Sequence, residues 1–253
     1  MIKFGFKELN LFSNRKSFKM KKIVVLTGAG MSAESGISTF RDANGLWENH
    51  DIMDVATPEG WKKNPGLVLA FYNQRRRQLK TVKPNSAHFY LKRLEAEYDV
   101  SIITQNVDNL HERAGSSRVI HLHGELDKVR SEKNEQLIYD WSEDLVLGDR
   151  GADGAQLRPH IVWFGEMVPM MDEAVAEAVT ADIMLIIGTS LQVYPAASLI
   201  DYIAADIPIY VIDPHGTAIS HNPYIHMIPK KATDGVMDFD RQLQTPILPF
   251  RPW

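Results

Sequence analysis

The chain has 253 residues, enough for one large domain or for one domain that carries a smaller insertion. Hydrophobic residues make up 44% of it and charged residues 24%, and the net charge of −4 argues against nucleic acid as a partner. No apolar run approaches the roughly 20 residues that span a bilayer, so we expect no membrane partner. The absence of cysteine excludes disulfides, thiolate metal sites and a cysteine nucleophile.

The first 20 residues scatter basic side chains among phenylalanines. They lack the continuous apolar stretch and the small-residue cleavage site of a secretory signal. We therefore expect a cytoplasmic protein in which residues 1–20 are a leader, either disordered or not part of the native start. Met20, directly before the first apolar run, is a candidate for that start.

Short β-rich runs alternate with longer helical patterns along the chain. Strands are predicted at residues 23–26, 101–104, 119–122, 183–187 and 207–212, and helices at residues 65–80, 86–98, 171–178 and 196–205. This alternation is typical of an α/β fold with a Rossmann-like, doubly wound parallel sheet. We assign residues 21–124 and 160–241 to this main domain.

Three segments interrupt or follow the alternation. Residues 44–64 are polar and punctuated by glycine and proline, which predicts a mobile lid beside the cleft. Residues 125–159 are rich in charge and glycine and predict a small inserted domain with little core of its own. Residues 242–253 form a proline-rich tail that cannot propagate a helix. We expect five apolar side chains to hold the inserted domain together: Leu137, Ile138, Trp141, Leu145 and Leu147.

The loop after the first strand contains Gly28, Gly30 and Gly36. A buried strand that leads into closely spaced glycines is a common way to bring backbone N–H groups against a pyrophosphate. The spacing departs from the G-x-G-x-x-G fingerprint of dehydrogenases. A glycine-rich turn without a ligand is the alternative interpretation of this loop alone.

Polar loops follow three further strands, at residues 105–108, 123–125 and 188–190. Taken separately, the asparagine and aspartate of the first could cap a helix, and His123 could be a satisfied core histidine. Ligands of open α/β sheets bind outside the carboxyl ends of the strands, so all four loops are expected to converge on one crevice. The conjunction of the four favours a functional site.

This constellation resembles the sirtuins, the NAD-dependent protein-lysine deacylases, over about residues 23–236. The motifs that carry the resemblance are residues 28–41, 105–108, 121–125, 161–166 and 188–190. Within the family the chain is most similar to the bacterial class III enzymes. That similarity is carried by Gly45-Leu46-Trp47, by residues 56–60 and by residues 109–115 (Asn-Leu-His-Glu-Arg-Ala-Gly).

The resemblance implies that the main domain binds NAD as a co-substrate. It places the pyrophosphate on the backbone of the first loop, the reacting ribose near the residues after it, and nicotinamide against the second loop. An aspartate at the end of the 207–212 strand would accept from the adenosine ribose and favour NAD over NADP. The implied cofactor-binding residues are Gly28, Ala29, Gly30, Ser32, Phe40, Arg41, Gln105, Asn106, Asp108, Gly188, Thr189, Ser190, Asp213 and Ala232.

The resemblance also implies the catalytic residues His123, Asn106 and Asp108. His123 would act as the general base for a ribose hydroxyl, a task that suits an imidazole titrating near neutral pH. The products would be free lysine, nicotinamide and O-acyl-ADP-ribose. His121 is expected to be a strand residue that packs against its neighbours, because the family's histidine precedes glycine.

Tyr72 and Arg75 are three residues apart on a predicted helix and share one face. They match the acyl-pocket pair of class III sirtuins, and a guanidinium with a phenol suits a carboxylate-tipped acyl chain. Desuccinylation and demalonylation are therefore expected first, with deacetylation retained. Arg76 and Arg77 are assigned to an exposed basic face. The acylated lysine of the protein partner is expected to enter past Trp163, Phe164 and Gly165 and residues 193–195.

Sirtuins typically bind a structural zinc ion through four cysteines in the inserted segment, and this chain has none. Ser131 lies where the first cysteine is expected, and we predict no metal site and a zinc-free, monomeric protein. Two other functions stay open. One is a mono-ADP-ribosyltransferase or NAD glycohydrolase on the same fold, and the other is a non-catalytic NAD-binding regulatory module.

Overall fold

The computed structural model of the chain describes residues 19–38, 46–47, 50–216 and 223–244. The leader up to residue 18, part of the lid and the tail from residue 245 lie outside the described residues. The described strands are β1 (Lys22–Thr27), β2 (Leu46–Trp47), β3 (His50–Asp51), β4 (Asp99–Thr104), β5 (Val119–His121), β6 (Gly124–Ser131), β7 (Ile138–Asp140), β8 (Leu157–Ile161), β9 (Ile183–Ile187), β10 (Ile209–Ile212) and β11 (Ile225–Ile228).

The described helices lie between these strands. They are α1 (Gly30–Ala33), α2 (Ile52–Val55), α3 (Pro58–Lys63), α4 (Pro65–Thr81), α5 (Ser86–Leu94), α6 (Leu110–Arg113), α7 (Met171–Ala178), α8 (Ala232–Gln244) and a 3-10 helix at Ala196–Asp201. No described helix has both the length and the apolar character needed to cross a membrane.

The main sheet has six parallel strands in the order β11-β10-β9-β1-β4-β5. Alternate residues of β1 face opposite layers of helices. Ile23 and Val25 pack in a core with α5 and α8, whereas Val24 and Leu26 pack in a second core with α7 and the 3-10 helix. Burial on both faces explains why the central strands are apolar throughout instead of alternating with polar residues. The predicted doubly wound sheet is confirmed.

Several predicted bounds were wrong. The predicted helix at residues 86–98 ends at Leu94, and that at residues 196–205 is a 3-10 helix of six residues. Strand β11 and helix α8 were not predicted. Strand β11 is an edge strand with mixed burial, and α8 begins after a Lys-Lys pair. Neither segment contains a continuous apolar run from which it could have been predicted.

The inserted segment has more structure than its composition predicted. Strands β7, β6 and β8 form an antiparallel sheet, and its inner side chains join a third core with α2, α3 and α4. Leu145 is fully buried and Trp141 partly buried, as predicted. Ile138 and Leu147, however, are 43% and 58% exposed, so their predicted core role was wrong. In β7 the inward position is taken by Tyr139.

The part of the predicted lid from residue 50 onward also packs against this core. Asp51 caps α2 by accepting from the amide of Met53, and Thr57 caps α3 by accepting from the amide of Gly60. Val55 and Trp61 are buried against α4. These helices therefore belong to the core of the small sheet.

Ser131 supplies hydrogen bonds where the sirtuin pattern would have a zinc ligand. Its side chain is buried at the end of β6, and its hydroxyl donates to Asp153 at 2.6 Å. The same oxygen accepts from the amides of Lys133 and Asn134. The bond to Asp153 connects the end of β6 to the loop that precedes β8.

We expect Ser131→Ala to lower the melting temperature by about 5–10 °C, because three hydrogen bonds of a buried hydroxyl are lost, each of which contributes about 1 kcal/mol. Ser142→Ala, at an exposed serine of the same segment, is the matched control and leaves the temperature unchanged. Scanning calorimetry with and without a chelator measures both effects. A chelator that lowered the melting temperature of the unaltered protein would contradict a metal-free small domain.

Candidate active site

The carboxyl ends of β1, β4, β9 and β10 open onto one cavity of about 870 Å³ that reaches the small sheet. Phe40 and Arg41 lie outside the described residues. All other site residues predicted from the sequence line this cavity: Gly28, Ala29, Gly30, Ser32, Tyr72, Arg75, Gln105, Asn106, Asp108, His123, Trp163, Phe164, Gly165, Gly188, Thr189, Ser190, Asp213 and Ala232.

The first glycine loop lies against the end of β9. The amides of Gly28 and Gly30 donate to the carbonyls of Ile187 and Gly188 at 3.0 and 2.9 Å. A Cβ at Gly30 would lie 2.6 Å from the Cα of Gly188, so only glycine allows this approach. We expected the backbone of Gly28, Ala29 and Gly30 to bind pyrophosphate, but the amides of Gly28 and Gly30 already donate within the protein. The predicted contact is therefore restricted to the amide of Ala29.

A hydrogen-bond network joins the first two loops at the bottom of the cavity. Ser32 donates to Asp108 Oδ2 at 2.9 Å. The side-chain amide of Asn106 donates to the Gly28 carbonyl at 3.1 Å and to Ser32 Oγ at 3.2 Å. Burial raises the pKa of Asp108, although its bonds from Leu110 and Ser32 oppose the shift. The carboxyl is therefore easier to protonate than an exposed aspartate.

His123 is half-buried on the wall of the same cavity. Its Nδ1 lies 3.0 Å from the carbonyl oxygen of Gln105. A carbonyl only accepts, so Nδ1 carries the proton and Nε2 is the basic nitrogen. Burial lowers the pKa of His123, with a smaller opposing effect of the Gln105 carbonyl. The imidazole is therefore neutral and able to accept a proton at pH 7.

His121 differs from His123 in both place and charge. It is a buried residue of β5, as predicted, and bonds to the Asn106 carbonyl and to Glu112. Burial lowers its pKa, but the hydrogen bond and the charge of Glu112 outweigh burial, and the net shift is upward. With an acceptor at each ring nitrogen and a raised pKa, His121 favours the protonated form more than an exposed histidine does, and it does not line the cavity. His123 is therefore the better candidate base.

The other end of the cavity is formed by β9, β10 and α8. Gln105 donates to Thr189 Oγ1 at 3.0 Å, which links the second and fourth loops. Asp213 is buried at the end of β10, where it accepts from the amide of His215. Ala232 begins α8. This end of the cavity thus combines amide, hydroxyl and carboxylate groups from three elements.

Helix α4 contributes Tyr72 and Arg75 to the wall beside the small sheet. Tyr72 is fully buried, and its hydroxyl accepts from Trp163 Nε1 at 3.0 Å. The Arg75 guanidinium is 3.4 Å from the centre of the Phe71 ring and donates to the Phe71 carbonyl. A phenol and a guanidinium are thus both buried at one end of the cavity.

The neighbouring arginines correct one prediction. Arg76 is buried, not exposed, because it donates to the carbonyl of Leu126 and to Asn73 Oδ1. Sequence reasoning missed its burial because one of its acceptors, the Leu126 carbonyl, lies in another element that is distant in sequence. Arg77 is exposed, as predicted, and pairs with Asp144.

Sequence reasoning also missed the support behind Trp163. The guanidinium of Arg158 lies 3.3 Å from the centre of the Trp163 ring and donates to Glu166 at 2.6 Å. Glu166 accepts in turn from the Trp163 amide. The Phe-Gly-Glu sequence after Trp163 was the signal that could have indicated Glu166, but it did not indicate Arg158. Among the described residues no group of three metal-ligating side chains comes together.

Comparisons with known proteins agree with this site. Residues 28–195 match the model of the Sir2 family. An NAD-dependent protein deacylase of Helicobacter pylori is 65% identical over 195 residues, which cover 77% of this chain and 85% of that protein. An NAD-dependent protein deacylase of Bacteroides thetaiotaomicron is 53% identical over 230 residues, covering 88% and 98%.

Solved structures give the same result. A Sir2 homologue in complex with NAD has a TM-score of 0.78 and 37% identity, covering 89% of this chain and 90% of that chain. A Sir2 protein bound to an acetylated peptide has a TM-score of 0.72 and 27% identity, covering 89% and 95%. The predicted resemblance is confirmed, and the chain belongs to the Sir2 family.

Proposed function

We propose that the protein is an NAD-dependent protein-lysine deacylase that prefers carboxylate-tipped acyl chains, succinyl and malonyl, and also removes acetyl groups. The observation that carries the acyl preference is the burial of Tyr72 and Arg75 in the wall of the cavity that His123 also lines. The names of the relatives support the deacylase activity, and the family members solved with NAD and with an acetylated peptide support the substrates.

The described residues fit NAD. The amide of Ala29, the hydroxyls of Thr189 and Ser190 and the carboxylate of Asp213 offer donors and acceptors along one cavity. When bound, NAD supplies a glycosidic bond whose cleavage releases nicotinamide and leaves ADP-ribose to take the acyl group. Asn106, oriented by Gly28 and Ser32, is suited to bind the carboxamide of nicotinamide.

His123 is suited to hold and move one proton. With Nδ1 committed to the Gln105 carbonyl, Nε2 can accept a proton from a hydroxyl in the cavity. The neutral state that this role needs is favoured by burial, which lowers the pKa of His123.

The acyl preference follows from charge. A carboxylate entering a buried pocket loses its hydration and needs a cation and a hydrogen-bond donor in return. Arg75 offers the cation. Tyr72, whose hydroxyl oxygen accepts from Trp163, contributes a phenol hydroxyl to the same end of the cavity. An acetyl group has no carboxylate that could bind to these two side chains. Cytoplasmic location and a monomeric state stay predictions.

We expect the double variant Tyr72→Phe/Arg75→Met to lower kcat/KM for succinyl-lysine peptide by about 100-fold, because a charged hydrogen bond and a neutral one are lost. Turnover of acetyl-lysine peptide changes by less than about threefold. Nicotinamide release, followed by mass spectrometry on acetyl-, malonyl-, succinyl- and glutaryl-lysine peptides, measures the preference.

Arg77→Met is the control for this experiment, since it removes a neighbouring but exposed charge outside the cavity. Equal losses on acetyl and succinyl peptides would refute the acid-tip pocket. NAD consumption with ADP-ribose attached to protein, and no deacylated peptide, would favour the ADP-ribosyltransferase instead. Binding of NAD without turnover would favour the regulatory module.

We expect His123→Ala to reduce deacylation by at least about 100-fold, as removal of a general base does. In the unaltered protein the acid limb of kcat/KM is expected below pH 6.5, the ordinary imidazole value, because protonation of His123 abolishes the base and its pKa is lowered. His226→Asn, on β11 outside the cavity lining, is the control. If the acid limb of the kcat/KM profile stayed at the same pH in His123→Ala, a group other than His123 would be responsible for it.

A further inference from the structure

Residues 109–115 carried part of the family resemblance without receiving a chemical role. They include α6, which directly follows the loop with Asn106 and Asp108. Two consecutive side chains of this helix, His111 and Glu112, reach the backbone of Asn106 through intermediaries. The two routes end on opposite sides of that residue.

The first route ends on the Asn106 amide, which donates to Thr104 Oγ1 at 3.0 Å. Thr27 Oγ1 also donates to Thr104 Oγ1, at 2.8 Å. The Thr27 oxygen can then accept from His111 Nε2, 3.1 Å away. Thr27, Thr104 and His111 are all buried, so every bond of this route is shielded from water.

The second route ends on the Asn106 carbonyl. His121 Nδ1 lies 3.1 Å from that oxygen, and His121 Nε2 lies 2.8 Å from Glu112 Oε1. The partnership with Glu112 raises the pKa of His121 against the opposing effect of burial. A protonated imidazole donates from both nitrogens, as this geometry requires.

We propose that His111 and Glu112 are positioning residues that hold the peptide groups on both sides of Asn106 and thereby orient its side chain toward the nicotinamide end of the cavity. The inference rests on the proposed function for the identity of that ligand. It concerns neither a contact with NAD nor a proton transfer. His111 and Glu112 act only through Thr27, Thr104 and His121.

A second observation concerns His88 and His111, whose ring centres are 4.9 Å apart in the interior. Neither His88 Nε2 nor His111 Nδ1 has a hydrogen-bond partner in the part of the chain that is described. His88 Nδ1 accepts from the Asn85 amide, so Nε2 is its donor. His111 donates from Nε2, so Nδ1 is its acceptor. Among the described residues, His88 Nε2 is thus a donor without an acceptor, and His111 Nδ1 is an acceptor without a donor.

Burial keeps both of these imidazoles neutral, lowering the pKa of His88 to about 4 and that of His111 well below its ordinary value. Neutrality fixes one donor and one acceptor on each ring. His88 and His111 are in ring contact but are not hydrogen-bonded to each other, so the route to Asn106 begins at His111.

The test compares His111→Leu, which keeps the volume but loses the donor, with His111→Gln, which can still donate to Thr27. We expect His111→Leu to lower kcat/KM for NAD by about tenfold, with the KM for peptide unchanged, and His111→Gln to recover most of the loss. A second comparison uses Glu112→Ala and Glu112→Gln. Glutamine keeps an oxygen that can accept from His121 Nε2, whereas alanine does not. Leu94→Ala, a cavity in the core at the far end of α5, controls for lost stability.

A measurement independent of turnover is amide exchange at Asn106, read by NMR. Exchange is expected to be at least about tenfold faster in His111→Leu than in the unaltered protein and in Leu94→Ala. If His111→Leu and Leu94→Ala lose activity alike, or if Asn106 exchanges at its original rate, the positioning role is wrong. If the unaltered protein deacylates nothing, the proposed function fails, and the exchange rates alone decide the positioning role.

Discussion

The contact between the loops that follow β1 and β9 is the constraint on which the rest of the site depends. The two adjacent strands end side by side, and the amide of Gly30 donates to the carbonyl of Gly188. Gly188 has a φ of +62°, and any side chain at either glycine would collide with the other loop. Only this close approach lets Thr189 reach Gln105, and so connects the third neighbouring strand, β4, to the same floor.

Burial then decides which groups of the cavity carry charge. It raises the pKa of Asp108 and lowers that of His123, so both favour the neutral state more than their exposed counterparts do. His121 is more deeply buried than His123, but its bond to Glu112 reverses the direction of the pKa shift. The pKa values of two histidines separated by one residue thus shift in opposite directions because only one of them has a carboxylate partner.

The small sheet supplies the second wall of the cavity. The hydroxyl of Tyr72 on α4 accepts from the indole nitrogen of Trp163, just after β8, and the guanidinium of Arg158 on β8 lies over the ring of the same indole. Burial raises the pKa of Glu166, but the bond and the charge of Arg158 outweigh it and hold the carboxyl below its usual range. A tight ion pair therefore fixes Trp163, which in turn fixes the phenol proposed to read the acyl tip.

The sequence by itself determined five of the six strands of the main sheet and the four polar loops at its carboxyl edge, and its resemblance to the sirtuins identified many of the residues that line the cavity. The strands and loops follow from local patterns, because a doubly covered parallel strand is apolar throughout and its loop is the first polar segment after it. Only the tertiary structure decided the small antiparallel sheet, the burial of Arg76 and the use of the Gly28 and Gly30 amides within the protein. Each depends on a partner far away in the chain, such as the Leu126 carbonyl for Arg76. A buried charge or amide needs such a partner, and sequence spacing does not reveal which distant acceptor will supply it.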